Sequence, residues 1–259
     1  MLRHSRIIAD LEPGDHLCWL YETEGERQML LMTFLRQGLE RGEKVLYIVD
    51  ACLAETMLGF LRDSELDMEP YLARGQLAIL TCDDTYTRQG VFDPEGMITL
   101  LRAETERALA EGYRALRGSS EMTWALRGLP GSERLIEYET TLNDFLPDSQ
   151  CLVICQYDRR RFGREVLLNI LRIHPIRVVG TVLYENFISE DTLKNTSKCA
   201  KDFSCLCGEG EYPYEVEYAA GDKVLFVKCT DRTCSYRMGF GYSYLCTCPA
   251  RKEIYNRYR

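Results

Sequence analysis

The stretch that most constrains this chain runs from Asp15 to Asp50, DHLCWLYETEGERQMLLMTFLRQGLERGEKVLYIVD. Its apolar spacing changes twice. His16 to Tyr21 is a short apolar and aromatic run, Glu22 to Gly25 is a polar turn, and Met29, Leu30, Leu31, Phe34, Leu35 and Leu39 recur at helical spacing. Gly42 stops that helix as a C-terminal glycine, and Val45 to Val49 is a near-continuous apolar run, as in a strand covered on both faces. Strand, helix and second strand make the βαβ unit that opens a nucleotide-binding α/β domain. A phosphate-binding loop in its first turn needs several glycines, a lysine and a hydroxyl residue. Tyr21 to Glu26 offers one glycine, three carboxylates and no lysine, so the turn would repel a triphosphate. The segment Gly38 to Lys44 (GLERGEK) is a decoy: its glycines are too close together, and it lies between helix and strand.

The alternation continues. Ala51 to Arg62 reads as helix, Gln76 to Cys82 as strand, and Pro94 to Gly112 as a long helix with Ile98, Leu101, Thr105, Ala108 and Leu109 on one side. Tyr113 to Met122 reads as strand, Ser132 to Phe145 as a helix with Ser132 as N-cap, Cys151 to Tyr157 as strand, Arg164 to Ile173 as helix and Val178 to Tyr184 as a last strand. Such alternation implies an α/β fold with a mostly parallel sheet flanked by helices. Ligands of such sheets bind beyond the carboxyl ends of the strands. Those ends carry Tyr21, Glu22 and Glu24; Asp50; Cys82, Asp83 and Asp84; Glu121 and Trp124; Tyr157, Asp158, Arg159 and Arg160; and Glu185 and Asn186. This rim of carboxylates, aromatics and a few arginines suits a small polar or mixed ligand.

Charge and hydropathy narrow the class. A net charge of -8 disfavours direct nucleic-acid binding, which needs a basic face. No apolar run is long enough to span a membrane, and the first residues lack the apolar core of a signal peptide, so a soluble cytoplasmic protein is expected. Of 12 cysteines, seven crowd into the segment from Cys199 onward. In a reducing compartment such clusters point to metal or redox chemistry before structural disulfides.

The segments GDHLCWLYETEGER, GSSEMTWALRGLPGSERLIEYE, CQYDRRRF and HPIRVVGTVLYEN resemble, in order and spacing, the MEDS family, a methanogen and methylotroph sensory domain. The resemblance covers roughly residues 5 to 188. It implies a degenerate RecA/KaiC-like domain without a phosphate loop, sensing small C1-type compounds. Matching positions are His16, Cys18, Tyr21, Glu121, Met122, Trp124, Glu137, Glu139, Tyr157, Asp158 and Arg159 to Arg161. The candidate ligand-binding set is His16, Tyr21, Glu22, Glu121, Trp124, Tyr157, Asp158, Arg159 and Arg160. Each has a plainer role: His16 as a hydrogen-bonded core histidine, Trp124 as core filler, Asp158 as a helix cap, and the arginines as a solvated face or carboxylate clamp. Glu137 and Glu139, two apart on a helix, face different ways and make no catalytic pair. No Ser-His-Asp arrangement or nucleophile elbow is visible, and His174 merely precedes Pro175 at a helix end, so a non-catalytic reading is preferred.

After a polar connection at residues 189 to 204, the tail from Cys205 onward reads as a small β-rich cysteine module. Tyr214 to Tyr218 and Lys223 to Lys228 form a hairpin around AAGD. Cys205, Cys207, Cys229, Cys234, Cys246 and Cys248 are candidate metal ligands for zinc, or for an iron–sulfur cluster. The spacings CxC and Cx4C depart from the usual zinc patterns. Nine basic against eight acidic residues after Lys198 suit a packed or protein-facing surface for the tyrosine-rich end.

The expected protein is a regulatory sensor with a small-molecule ligand and a signalling or transcription-regulating protein partner; a homo-oligomer is left open. The alternatives are a metal- or thiol-dependent redox enzyme with its cluster in the tail, and a nucleotide-binding switch.

Overall fold

The computed structural model describes residues 8–50, 59, 67–179, 182–185, 190–199, 216–221, 224–227 and 233–258. The chain divides between Glu185 and Asn186 into two units.

In the first unit, β1 (His16–Tyr21) is buried throughout and leads into α1 (Glu24–Glu40). The Thr23 hydroxyl accepts from the Glu26 amide at 3.2 Å, while the Glu26 carboxylate accepts from the Glu22 amide at 3.0 Å and the Thr23 amide at 3.3 Å. This reciprocal cap satisfies amides that a helix start leaves open. The turn therefore shrinks to Glu22 and Thr23, and Gly25 belongs to the helix rather than to a loop. At the other end Gly42 takes φ +72°, the left-handed conformation that follows a helix C-cap.

The chain continues through β2 (Lys44–Val49), α2 (Glu69–Ala73), β3 (Leu77–Thr81), α3 (Pro94–Ala110), β4 (Leu116–Glu121), α4 (Leu135–Phe145), β5 (Cys151–Asp158), α5 (Arg164–Ile173), β6 (Ile176–Val179) and β7 (Val182–Glu185). They form one sheet of order β3-β2-β4-β5-β1-β6-β7. The first six strands run parallel and β7 is antiparallel to β6. Since β1 lies between β5 and β6, the connection through α1 crosses β5 and β4 to reach β2. The carboxyl ends of β1, β5, β4 and β2 are thereby neighbours.

The two faces are set by strand alternation. Leu17, Trp19 and Tyr21 of β1 pack with Leu30, Phe34 and Leu35 of α1 and with Val45, Tyr47 and Val49 of β2. His16, Cys18 and Leu20, equally buried, face the other way. Two polar pairs lie inside the α1 face: Arg117 donates to Glu43 at 2.5 Å and sits 4.6 Å over the Phe34 ring, and Gln156 donates to Ser119 at 2.7 Å.

Several expectations need correction. Val178 to Tyr184 is not one strand but the pair β6 and β7. Ser132 does not cap α4; Gly131, at φ +87°, opens a short 3-10 turn over Ser132–Arg134, and the α-helix begins at Leu135 without a side-chain cap. Met29 and Leu109 lie on solvent-facing sides of their helices. The helix expected over Ala51 to Arg62 lies outside the described residues except at Gly59, which is helical.

In the second unit, the segment read as an aperiodic connection carries α6 (Glu190–Asn195). Beyond it, β8 (Val216–Ala220), β9 (Val224–Val227), β10 (Arg237–Phe240) and β11 (Ser243–Cys246) make an antiparallel sheet of order β10-β11-β9-β8, followed by α7 (Pro249–Tyr258). Leu225, Val227, Tyr236, Cys246, Cys248 and Ala250 form its core, with Cys199 and Cys234 packed against it. Tyr218, Met238 and Phe240 are exposed on the sheet. Cys205, Cys207 and Cys229 lie outside the described residues. Among the described residues, no helix is long and apolar enough to cross a membrane.

Candidate functional site

At the carboxyl ends of the strands the protein pairs its own charges with one another. Arg27, in the first turns of α1, falls on the apolar stripe with Leu30, Leu31 and Phe34, so its guanidinium is carried inward. It is 1% exposed. It donates to both oxygens of Glu24, at 2.9 and 2.5 Å, to the Tyr47 hydroxyl at 3.1 Å and to the Glu121 carboxylate. Glu121 ends β4 and is fully buried; Tyr47 donates to it at 2.5 Å and the Asp50 amide at 3.0 Å. Burial raises the Glu121 carboxyl above its ordinary value even with Arg27 beside it. The chain of charges extends outward. Asp50 accepts from Thr123 at 2.7 Å and from Arg127, which also donates to Asp83 at 2.5 Å. Two carboxylate–guanidinium–carboxylate groups, Glu24–Arg27–Glu121 and Asp50–Arg127–Asp83, are thus joined where the Asp50 amide donates to Glu121.

The expected ligand residues distribute among three environments. Tyr21 lies under the Arg27 guanidinium, 5.9 Å from its ring centre, and shares this region with Glu121. Beside it, exposed Glu22 faces Arg159 at 3.5 Å, while Asp158 accepts from the Arg160 side chain at 3.0 and 2.8 Å and from its amide at 2.9 Å. Asp158 therefore does not cap α5, whose N-cap is Gly163, and the two arginines act here as carboxylate clamps. Trp124 is in the interior, stacked 4.9 Å from Tyr86 and tilted against Phe92 at 4.4 Å, with Tyr138 edge-on to Tyr86 and Phe92. It fills the core.

His16 and Tyr157 belong to a third environment. His16 opens β1, and its Nε2 is 3.1 Å from Glu139 Oε2 of α4. His174, just past α5, brings its own Nε2 to 3.1 Å from the same oxygen. Cys155 Sγ of β5 lies 3.8 Å from His16 Nε2, and the Tyr157 hydroxyl donates to the other Glu139 oxygen. All four of His16, Glu139, Cys155 and His174 are buried, and one ligand atom from each fits within 4.8 Å of the others. Burial, then His16, pushes the His174 imidazole below its ordinary value. Burial works to raise the Glu139 carboxyl, while a positive charge on His174 and His16 beside it would hold it well below the usual range. Burial and the Glu139 charge push the Cys155 thiol up.

Sequence reasoning placed Glu121 and Asp50 on the rim but missed Arg27, Tyr47 and Arg127 there. It set His174 aside, and it named Glu139 as a matching position but left it out of the ligand set, excluding a pair with exposed Glu137, from which it does face away. A signal was present in both cases. Arg27 and Glu139 each occupy an apolar stripe, the latter with Leu135, Tyr138 and Leu142. A charge on such a stripe needs a buried partner. In the tail, Cys246 and Cys248 are buried and Cys234 is half-buried; among the described residues, the metal-type cluster is the one around Glu139.

Comparison with known proteins agrees with the resemblance drawn from the motifs. The chain is 26% identical over 166 residues to the transcriptional repressor DcmR of Methylorubrum extorquens, covering 64% of this chain and 60% of that protein. Among solved structures it resembles a KaiC-like protein from Pyrococcus horikoshii OT3, at 17% identity and a TM-score of 0.43, covering 64% of this chain and 70% of the other. The fold itself is α/β, a mostly parallel seven-stranded sheet flanked by helices, with a second antiparallel sheet. Residues 15–175 match the model of the MEthanogen/methylotroph, DcmR Sensory domain, and the chain belongs to this MEDS family.

Proposed function

We propose that this chain is a non-catalytic regulatory protein that senses a small C1-type ligand through its MEDS domain and passes the change to a signalling or transcription-regulating partner protein. The observation that carries this reading is the mutual pairing of the amides and charges at the strand ends. The first turn of α1 caps itself through Thr23 and Glu26, and the space above the strands is held by the Arg27–Glu121–Asp50–Arg127 chain. In a nucleotide-binding relative, helix amides and a lysine would face phosphate there. Here the amides of Glu22, Thr23 and Glu26 are spent on side-chain oxygens, and the basic groups on carboxylates. A neutral or weakly polar small molecule meets no charge penalty at such a site. The name of the relative, a transcriptional repressor, agrees with a regulatory role. The exposed aromatic residues Tyr218 and Phe240 of the second unit suit contact with a partner protein. The tail cysteines Cys205, Cys207, Cys229, Cys234, Cys246 and Cys248 are proposed to staple the small unit through zinc.

Equilibrium dialysis and thermal unfolding of the full chain with dichloromethane and with methanol test the sensor. Saturable binding of either compound with a raised unfolding midpoint is expected. Neither binding nor a shift with either compound would sink the C1 reading.

A further inference from the structure

We propose that His16, Glu139, Cys155 and His174 form a closed tetrahedral site for a divalent transition metal, zinc by its donor set, inside the first unit. The inference goes beyond the sensory reading and does not depend on it.

The hydrogen-bond directions lead to it. Asn143 donates through Nδ2 to the Ile173 carbonyl at 2.8 Å, so its Oδ1 is the atom turned toward His16 Nδ1, also at 2.8 Å. His16 Nδ1 must therefore carry the proton. His174 Nδ1 lies 2.8 Å from the Ile170 carbonyl and must carry its proton too. In the neutral rings both Nε2 atoms then present lone pairs, and both aim at one carboxylate oxygen 3.1 Å away. Neither Glu139 Oε2 nor His174 Nε2 has a hydrogen-bond partner, although both are buried. Such a convergence of electron pairs calls for a cation at its centre.

Protons are the plain alternative, and charge decides against them. Protonating both imidazoles opposite one carboxylate leaves a net positive charge in a site without solvent, which is costly. Protonating only His16 leaves the His174 lone pair facing an oxygen lone pair at 3.1 Å. A divalent ion with one carboxylate, one thiolate and two neutral imidazoles sums to zero charge. Cys155 supplies the thiolate, and its proton leaves to solvent when the metal binds.

The distances agree with a tetrahedron. With zinc–nitrogen and zinc–oxygen bonds of about 2.0 Å and a zinc–sulfur bond of about 2.3 Å, its edges are roughly 3.3 Å between nitrogen and oxygen and 3.6 Å between nitrogen and sulfur. Three of the six observed edges are 3.1, 3.1 and 3.8 Å, and all six lie within 4.8 Å, so the donors need to draw in slightly around an ion. The outer partners are of the kind that metal-ligating residues use: a carbonyl on each Nδ1–H and a hydroxyl on the second carboxylate oxygen. Four protein donors and complete burial make it a structural site, tying β1, β5, α4 and the end of α5 together.

Zinc-edge X-ray absorption on the untagged full chain, with metal content of wild type, Cys155→Ala and His174→Ala, tests this. The three histidines are His4, His16 and His174, so the cysteine-rich tail has none and imidazole scattering reports this site. Wild type should show zinc bound by imidazole, and each variant should lose one zinc per chain or bind it at least about 10-fold more weakly. Cys155→Ala exchanges one small buried residue for another and keeps the test decisive if His174→Ala fails to fold. Zinc bound only by sulfur, no zinc after growth in zinc-replete medium, or unchanged zinc in folded Cys155→Ala would each overturn the proposal. Loss of C1 binding with imidazole-bound zinc intact would strike the sensory reading alone.

Discussion

Replacing Arg27 by methionine removes the cation that balances Glu121 at the strand ends. The methionine keeps an unbranched stem on the same apolar stripe, so the packing loss is small. What remains is a fully buried carboxylate with, among the described residues, the Tyr47 hydroxyl and the Asp50 amide as donors. Breaking a buried pair on one side costs about 3–5 kcal/mol, because the abandoned charge stays desolvated. For a unit of this size each kcal/mol moves the unfolding midpoint by roughly 2–4 °C, so a drop of about 10 °C is expected by calorimetry or circular dichroism. Adding Glu121→Gln removes the stranded charge and should recover at least about 2 kcal/mol, the coupling typical of a buried network. The pH dependence has a definite sign. Burial already raises the Glu121 carboxyl in the folded chain, and loss of Arg27 removes the charge that holds it down. The folded variant then binds that proton more tightly than the unfolded chain does, so its stability rises as pH falls through the folded value. The gap between Arg27→Met and wild type should narrow on acidification toward the ordinary carboxylate range. A midpoint change within about 2 °C, the size of a surface substitution, with no coupling to Glu121→Gln, would refute the reasoning.

Three further outcomes follow from the interior. Gly131, at φ +87°, has the Phe92 carbonyl oxygen where a Cβ would go, so Gly131→Ala should cost upward of about 3 kcal/mol, whereas Gly42→Ala, with open space around it, should cost about 1 kcal/mol; equal denaturation midpoints would contradict this. Both tryptophans, Trp19 and Trp124, are fully buried, so iodide should barely quench the fluorescence of the native chain, and strong quenching in Trp19→Phe would put Trp124 at the surface. Asn143→Ala removes the acceptor that orients His16 and should weaken zinc binding at the proposed histidine site by about 10–100-fold; equal affinity would argue against an orienting role.

The first unit was legible where a single element carried its own signal. The run from His16 to Val49 shows two strands and a helix because each is long enough for its period to register, and α5 has the bounds its spacing indicates. The pair β6 and β7 was not legible as two strands. Each has four residues, and two apolar segments that short merge into one run. Strand β4 looked polar, yet it is buried throughout, because Arg117, Ser119 and Glu121 each meet a buried partner from another element: Glu43, Gln156 and Arg27. A pattern of apolar spacing does not reveal such pairs. The same holds for the histidine cluster. Its four residues come from two strands, a helix and a helix end, and tertiary packing alone brings them together. The absence of a phosphate loop could be read directly, since it depends on adjacent residues. That the vacated function is matched by Arg27 turned inward could not.

The strand ends hold their own paired charges where a nucleotide-binding protein would hold phosphate. Calorimetric titration of the full chain with magnesium–ATP tests it most directly. No saturable heat is expected, with any affinity weaker than about 1 mM, near −4 kcal/mol. Saturable micromolar binding that disappears in Arg159→Ala would contradict it and make the protein a nucleotide-dependent switch.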